Sequence, residues 1–510
     1  MSHKLFKSTM IVASMTFISR ILGLLREIVF ASFFGATAGM DAFIVAFKIP
    51  NFLRRLFAEG AFNQAFVPVL AAQKTQVDQQ QMRELIQRTM GTLGIVVFIV
   101  AIIGMLTSAV WVAIFAPGFW HDPAKFHLAS GLLRITFPYL FFISLTALSG
   151  SVLNVYSRFA VPAITPVLLN ICLIAAAIWL SPYFTHPVTA IAWGVLIAGV
   201  VQFLFQLPFL IRLKLLSWPR WGWRNPHVQR IIKLMVPVLF GASVVQVSLL
   251  VDTIFASFLK TGSVSWLYYS DRLMQFPLGV FGVALSTVVL PHLSKHHAKA
   301  QQGDYNRSLD WALRWVLVIG LPAAVGVGVL SMPLLVSLFH YGQFSIYDVV
   351  MSQESLIAFA VGLLFFIAVK VLVSAFYARQ EMKLPVKIAV IAMLANIVLN
   401  GVLIVPLAHA GIALATSLAA ALNALLLVWF LRKRKFYRPE PGWRGVSIAV
   451  VCACILMGLI LWYCAAPLSD WAQWHAMSRV FHLVVLIVIG IIAYGVFTVV
   501  FGLRLRHLSR

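Results

Sequence analysis

Charge is what this chain has least of. Only 11% of its 510 residues are Asp, Glu, Lys or Arg, and just 15 are acidic. With 61% hydrophobic residues, a soluble fold could not bury so much apolar surface, which leaves a polytopic membrane protein. Long polar loops are missing as well, so no soluble catalytic domain is expected. A GxxxxGK[ST] phosphate loop is absent, which argues against ATP hydrolysis by this chain. Cysteine is rare, and Cys172, Cys452, Cys454 and Cys464 all lie in or beside apolar runs, where Cys-Ala-Cys is poor ligand spacing. All four read as packing residues. The histidines (His121, His127, His186, His292, His340, His409) are scattered without ligand spacing, so neither metal nor cofactor is expected. No small-residue cleavage site closes the first apolar run, which makes it a first span and not a signal peptide.

What the chain does have is apolar runs of helical length, near 8–34, 40–72, 89–115, 129–155, 161–181, 188–211, 231–259, 264–293, 311–338, 352–377, 387–408, 411–431, 446–466 and 479–503. They predict an all-α protein of fourteen transmembrane helices, since barrel strands would alternate apolar with polar residues. The formal net charge of +24 would suggest nucleic acid in a soluble protein. Here the cations cluster in loops after even-numbered spans: RLKLLSWPRWGWRNPHVQR (212–230), SKHHAK (294–299) and RKRKFYR (432–438). Loops after odd-numbered spans are nearly bare, with Lys125 and Lys260 their only clear cations. That bias places both termini in the cytoplasm and requires no nucleic-acid partner.

The tetrapeptide FASF occurs at 30–33 and again at 255–258. Each copy closes a long span, precedes a short loop containing Gly, and leads into a helix with buried charge, Lys48 in one and Asp271-Arg272 in the other. Phe30 thus aligns with Phe255, and further on Pro68 aligns with Pro291 after a small slip in the intervening loop. An even number of spans separates the copies, so they point the same way. This predicts two pseudo-symmetric six-helix lobes, 1–225 and 226–435, with a cavity between them, and two additional helices in 436–510.

Charges in the first spans and in span 8 are hard to place in hydrocarbon: Arg20, Arg26, Glu27, Asp41, Lys48, Arg54, Arg55, Glu59, Asp271 and Arg272. At ~1.5 Å per residue, Arg20 lies ~20 Å and Arg26 ~28 Å from the inner end of the first span. Lys48 is ~10 Å and Arg54 ~20 Å from the opposite end of the second. Arg55 and Glu59, spaced i,i+4, serve equally well as an internal pair. Arg134 and Lys370 are isolated and fit snorkelling as well as function. Pro50 removes a backbone hydrogen bond and bends its helix. A water-filled cationic cavity is the economical reading, and guanidinium groups there suit a phosphate, which they grip bidentately.

The stretch FISRILGLLREIVFASFFGATAGMDAFIVAFKIPNFLRRLFAEGAFNQAFVPVL (17–70) closely resembles the N-terminal signature of the MurJ (MviN) family. These are the lipid II flippases of bacterial peptidoglycan synthesis, within the multidrug/oligosaccharidyl-lipid/polysaccharide exporter superfamily. GSVSWLYYSDRLMQFPLGVFGVALSTVVLPHLS (262–294) and the two final spans extend the resemblance over essentially the whole chain. The resemblance implies a MATE-like fold, alternating access in the inner membrane, and lipid II as substrate, and it allows association with the cell-wall synthesis machinery. It also implies that Arg20, Arg26, Arg54 and Arg272 bind the substrate pyrophosphate, with Asp41, Lys48, Glu59 and Asp271 at further charged positions of the cavity. Residues 436–510 would hold the polyprenyl tail. One departure is Gln275, where close relatives carry Glu, so a carboxylate is not indispensable there.

Two rival readings remain. A multidrug or other lipid-linked oligosaccharide exporter of the same superfamily would use the same fold, but an antiporter of organic cations should want acidic residues in its cavity. An enzyme acting on polyprenyl phosphates would need a carboxylate or histidine constellation near one face.

Overall fold

The computed structural model describes residues 3–56, 62–74, 78–216, 218–299 and 301–503, with side chains omitted at 3–9, 63 and 237–245. The apolar runs fold as helices, and no strand occurs among the described residues. In lipid only internally bonded backbone is tolerated, and a helix satisfies its own N–H and C=O groups within one segment.

Contacts divide the chain into two units, Met1–Gly262 and Ser263–Arg510. The first contains α1 (His3–Phe34), α2 (Ala38–Arg54), α3 (Asn63–Lys74), α4 (Gln79–Leu106), α5 (Ser108–Phe115), α6 (Pro123–Thr136), α7 (Tyr139–Val155), α8 (Ala160–Ala175), α9 (Val188–Arg212) and α10 (Pro226–Ser257). The second contains α11 (Ser263–Pro277), α12 (Val283–Ala298), α13 (Gln302–Val329), α14 (Ser331–Phe339), α15 (Ile346–Tyr377), α16 (Lys383–Lys433), α17 (Trp443–Cys464), α18 (Leu468–Gln473) and α19 (Ala476–Val500). Helix α10, which opens the expected second lobe, packs here with α3 and the tight turn Pro117–His121 of the first unit.

The duplication read from FASF recurs in the helix boundaries. Helices α4, α5, α6 and α8 start at Gln79, Ser108, Pro123 and Ala160. Helices α13, α14, α15 and α16 start at Gln302, Ser331, Ile346 and Lys383, with the same spacing from one start to the next. Capping is repeated too. The Asp122 side chain accepts from Lys125 N at the start of α6, and Ser345 with Asp348 forms a capping box at the start of α15. Ser157 and Gln380, which correspond in this register, both take left-handed backbone just beyond α7 and α15.

Two interruptions bend these helices. Helix α11 ends at Pro277 and passes through a wider π turn, Leu278–Gly282, into α12. Proline withdraws a backbone donor, and the extra residue of a π turn absorbs the mismatch. Segment α16 spans 51 residues as two helices that meet at Ala408, whose φ of 47° and ψ of −126° are not helical. A side chain at Gly411 would run into the Leu403 carbonyl oxygen, so the bend needs glycine there. The expected spans at 387–408 and 411–431 thus correspond to two helical arms separated at the non-helical Ala408. Ten helices among the described residues are long and apolar enough to cross a membrane.

Candidate functional site

In the first unit the charges of α1 and α2 are carried by helices whose remaining faces are apolar. At 100° per residue, Arg26 is turned about 120° from Arg20 around the α1 axis. The two side chains accordingly meet different surroundings: Arg20 is exposed and Arg26 is buried. Arg26 Nη1 donates to Asn170 Oδ1 at 3.0 Å across to α8, and its Nη2 pairs with the adjacent Glu27. The guanidinium also stands 5.7 Å from the centre of the Phe30 ring. Asn170 Nδ2 donates to the Ser19 carbonyl at 3.1 Å, which holds the amide with its oxygen toward Arg26.

Asp41 and Lys48 are seven residues apart on α2 and therefore share a face. Asp41 is fully buried. Its Oδ2 accepts from Lys125 Nζ at 2.8 Å and from the Gly262 backbone N–H at 2.8 Å. Lys125, expected as a loop cation, is buried in the first turn of α6 and lies over the Phe119 ring at 4.3 Å. Two directed donors on a carboxylate inside protein make a charge-assisted pair that is well satisfied on the Asp side. Two turns along, Lys48 Nζ donates to Thr253 Oγ1 on α10 at 2.9 Å. Arg54, half-buried at the end of α2, donates from Nε at 2.9 Å and from Nη2 at 2.7 Å to Asn51 Oδ1, one turn earlier. Glu59 lies outside the described residues.

In the second unit, Asp271 and Arg272 are half-buried on α11. The Asp271 carboxylate accepts from Gln275, one turn on, so the Gln275 amide is a donor to its acidic neighbour. The Arg272 guanidinium stacks 4.8 Å from the Tyr268 ring centre. Arg134 and Lys370 are exposed. Among the described residues no group of three His, Cys, Asp or Glu side chains could hold a metal ion. All four cysteines are free thiols.

Sequence reasoning missed Asn170, Thr253 and the role of Lys125. Lys125 left a trace: an isolated cation three residues after a helix-capping Asp, on the side where loops carry almost none. Asn170 and Thr253 left none, because single Asn and Thr residues are common in membrane helices.

The chemistry these groups permit is the holding of an anion. In the first unit α1 carries Arg20 and Arg26 and α2 carries Lys48 and Arg54, with Pro50 inside α2; in the second, α11 carries Arg272 and ends at Pro277. Several of them already bond neutral oxygens of Asn and Thr that a stronger acceptor can replace.

The family described as "Lipid II flippase MurJ" matches residues 30–485. A probable lipid II flippase MurJ of Haemophilus influenzae is 46% identical over 507 residues, covering 97% of this chain and 99% of that protein. Among solved structures, "Lipid II flippase MurJ, inward closed conformation" superposes with a TM-score of 0.82 at 28% identity, covering 98% of this chain and 100% of that one. An inward-facing multidrug resistance transporter of the MATE family matches with a TM-score of 0.66 at 15% identity, covering 83% of this chain and 97% of that one, which shows a common fold. The chain belongs to the MurJ family of lipid II flippases.

Proposed function

We propose that this protein is the lipid II flippase of its cell. It moves undecaprenyl-pyrophosphate-linked disaccharide-peptide from the cytoplasmic to the outer leaflet of the inner membrane by alternating access. The observation that carries this reading is the near-complete, 46%-identical match to a flippase relative. The unusual guanidinium groups of α1, α2 and α11 agree with it. The sugar, peptide and pyrophosphate cannot cross hydrocarbon unaided, because each polar group would lose its water. A protein lined with cations offers the headgroup a solvated route while its tail stays in lipid.

Arg20, Arg26, Arg54 and Arg272 are assigned to the pyrophosphate, with Lys48, Glu59 and Asp271 as further polar contacts. Asp41, shared between Lys125 and the Gly262 N–H, serves the site by holding the outer end of α2 in place. The proposed topology has fourteen crossings, both termini cytoplasmic, with lobes 1–225 and 226–435 and a tail-binding segment 436–510. It is supported by the ten apolar helices, by the bend that divides α16, and by α1, α2 with α3, and α10, which carry the expected spans with more charge. The function is transport, driven by an ion gradient or by the membrane potential, worth ~2.3 kcal/mol per charge per 100 mV.

The test is sidedness. On depletion of the protein, intact spheroplasts treated with a lipid II-cleaving enzyme that cannot enter should release less product, while the total precursor pool rises. A constant protected fraction during depletion, with no other flippase present, overturns the assignment.

A further inference from the structure

The loop after α9 carries three tryptophans in close succession, Trp218, Trp221 and Trp223, which are 88%, 55% and 45% exposed. Their exposure does not come from a loose loop. Gln87 on α4 donates from Nε2 to the Trp218 carbonyl at 2.6 Å, and its own backbone carbonyl accepts from Arg220 N at 3.2 Å. Gly222 N donates to Thr92 Oγ1 at 3.0 Å, and Arg83 Nη2 donates to the Leu216 carbonyl at 3.2 Å. A side chain at Gly91 would run into the Arg220 backbone, and one at Gly222 would meet Arg88 Cβ at 2.5 Å. The backbone is thus stitched to α4, and the indoles are turned outward from it. The rings of Trp221 and Trp223 stack on each other, 5.9 Å apart and 9° from parallel.

The second unit supplies an internal control. Asp310 stands as far into α13 as Gln87 stands into α4, and it clamps the matching loop after α16. Its Oδ1 accepts from Tyr437 OH at 2.6 Å, Glu440 N at 3.1 Å and Trp443 Nε1 at 2.7 Å. There the aromatics turn inward to do the clamping, and Tyr437 is buried. Holding such a loop therefore does not require exposed indoles. In the first unit the clamp is made by backbone groups and the three rings are left for something else.

Depth and charge indicate what that is. The clamp points on α4 run from Arg83 to Thr92, and the exposed apolar belt of the same helix, Ile95, Val96, Phe98 and Ile99, begins one turn further on. The indoles therefore stand where the apolar belt ends, the level of lipid headgroups, at which tryptophan is favoured because one edge is apolar and the other polar. Lys214, Arg220 and Arg224 are exposed alongside them, and no acidic residue occurs between 212 and 230. The geometry points to a binding surface for anionic phospholipid on this loop: Trp218, Trp221 and Trp223 enter the headgroup layer, and Lys214, Arg220 and Arg224 bind lipid phosphate. With the orientation proposed above, the leaflet is the cytoplasmic one. The binding itself does not depend on that orientation.

The test uses the full-length protein in nanodiscs of phosphatidylcholine mixed in roughly equal parts with phosphatidylglycerol. Bromine is placed near the headgroup of one lipid or the other. The readout is the tryptophan fluorescence lost by the protein but not by W218F/W221F/W223F, which isolates the three loop indoles. Brominated phosphatidylglycerol should quench them more than brominated phosphatidylcholine at equal bromine content. The excess should shrink in high salt and fall by roughly fivefold in apparent lipid preference for each cation removed, in R220Q and R220Q/R224Q. Because the clamp uses backbone groups, these variants should unfold at the same temperature as the parent. Equal quenching by both lipids overturns the proposal in favour of ordinary interfacial tryptophans. Quenching by neither means that the rings face water or a protein, and overturns it too.

Discussion

Lys125 and Asp348 occupy the same place in the two halves, each in the first turn of its helix, and each grips the helix that follows a glycine turn. Lys125 Nζ reaches Asp41 Oδ2 at 2.8 Å on α2, and Asp348 Oδ1 accepts from Trp266 Nε1 at 2.8 Å on α11. Asp41 follows the first FASF at the same distance as Trp266 follows the second. The duplicated halves have kept the contact and changed its chemistry, from a buried ion pair in one to a hydrogen bond between indole and carboxylate in the other. A contact that survives with different atoms is maintained for position, and this bears on how Asp41 should respond to mutation.

Asp41→Ala should strand the Lys125 ammonium inside the first unit and destabilise the protein by about 3–5 kcal/mol. Asp41→Ala/Lys125→Ala should recover part of that loss, since no unpaired charge remains. Thermal unfolding of the purified variants checks this. Wild-type unfolding by the Asp41 variant would release the carboxylate for a direct role with substrate.

Arg20 and Arg26 should separate in their effects. Arg20 is exposed and Arg26 bonds Asn170 and Glu27. Arg20→Ala should abolish complementation of a depleted strain at unchanged melting temperature, whereas Arg26→Ala should lower both. Arg26→Lys keeps the charge but lacks the planar fork that meets two acceptors at once, so it too should be impaired. Full function in alanine variants at 20, 26, 54 and 272, at normal expression, would leave these arginines a structural role only.

The Asp310 knot predicts an alkaline signature. Burial, with the Asp310 carboxylate alongside, pushes the Tyr437 hydroxyl well above the usual tyrosine range. The folded chain therefore keeps this proton while the unfolded chain loses it near pH ~10. The unfolded state then binds fewer protons, so stability falls as pH rises past about 10. Tyr437→Phe should be less stable at neutral pH by roughly 1.5–3 kcal/mol, through loss of a hydrogen bond to a charged group. Its melting temperature should decline less steeply at alkaline pH than that of the parent. Parallel pH curves for the two proteins would contradict this.

Topology can be read with single cysteines at Gly303 and Ser469 in a background lacking the native four. Both positions are exposed, and a side chain at Gly303 meets no atom within 4 Å. The proposed orientation predicts that an impermeant thiol reagent labels Ser469→Cys in intact cells, and Gly303→Cys only after the membrane is opened. Labelling of both in intact cells would refute the orientation.

Composition, the lengths of apolar runs and the repeated FASF were enough to read a helical membrane protein, an internal repeat and the set of charges that need an explanation. All of these are local or periodic properties, written along one dimension. In α16 the non-helical residue Ala408, with Gly411 closing against Leu403, falls at the junction of the two spans read at 387–408 and 411–431: the sequence marked the place but not the direction of the turn.

What each charge touches was decided only in three dimensions. Arg26 finds Asn170, Asp41 finds Lys125, and Asp310 finds Trp443, all partners far away along the chain. These pairings depend on the rotation of each helix about its own axis, where one residue corresponds to about 100°. In a soluble protein the polar face announces that rotation. A membrane helix is apolar all round, so its sequence carries almost no phase, and the packing of neighbouring helices sets which way Arg20, Arg26 or Asp41 looks.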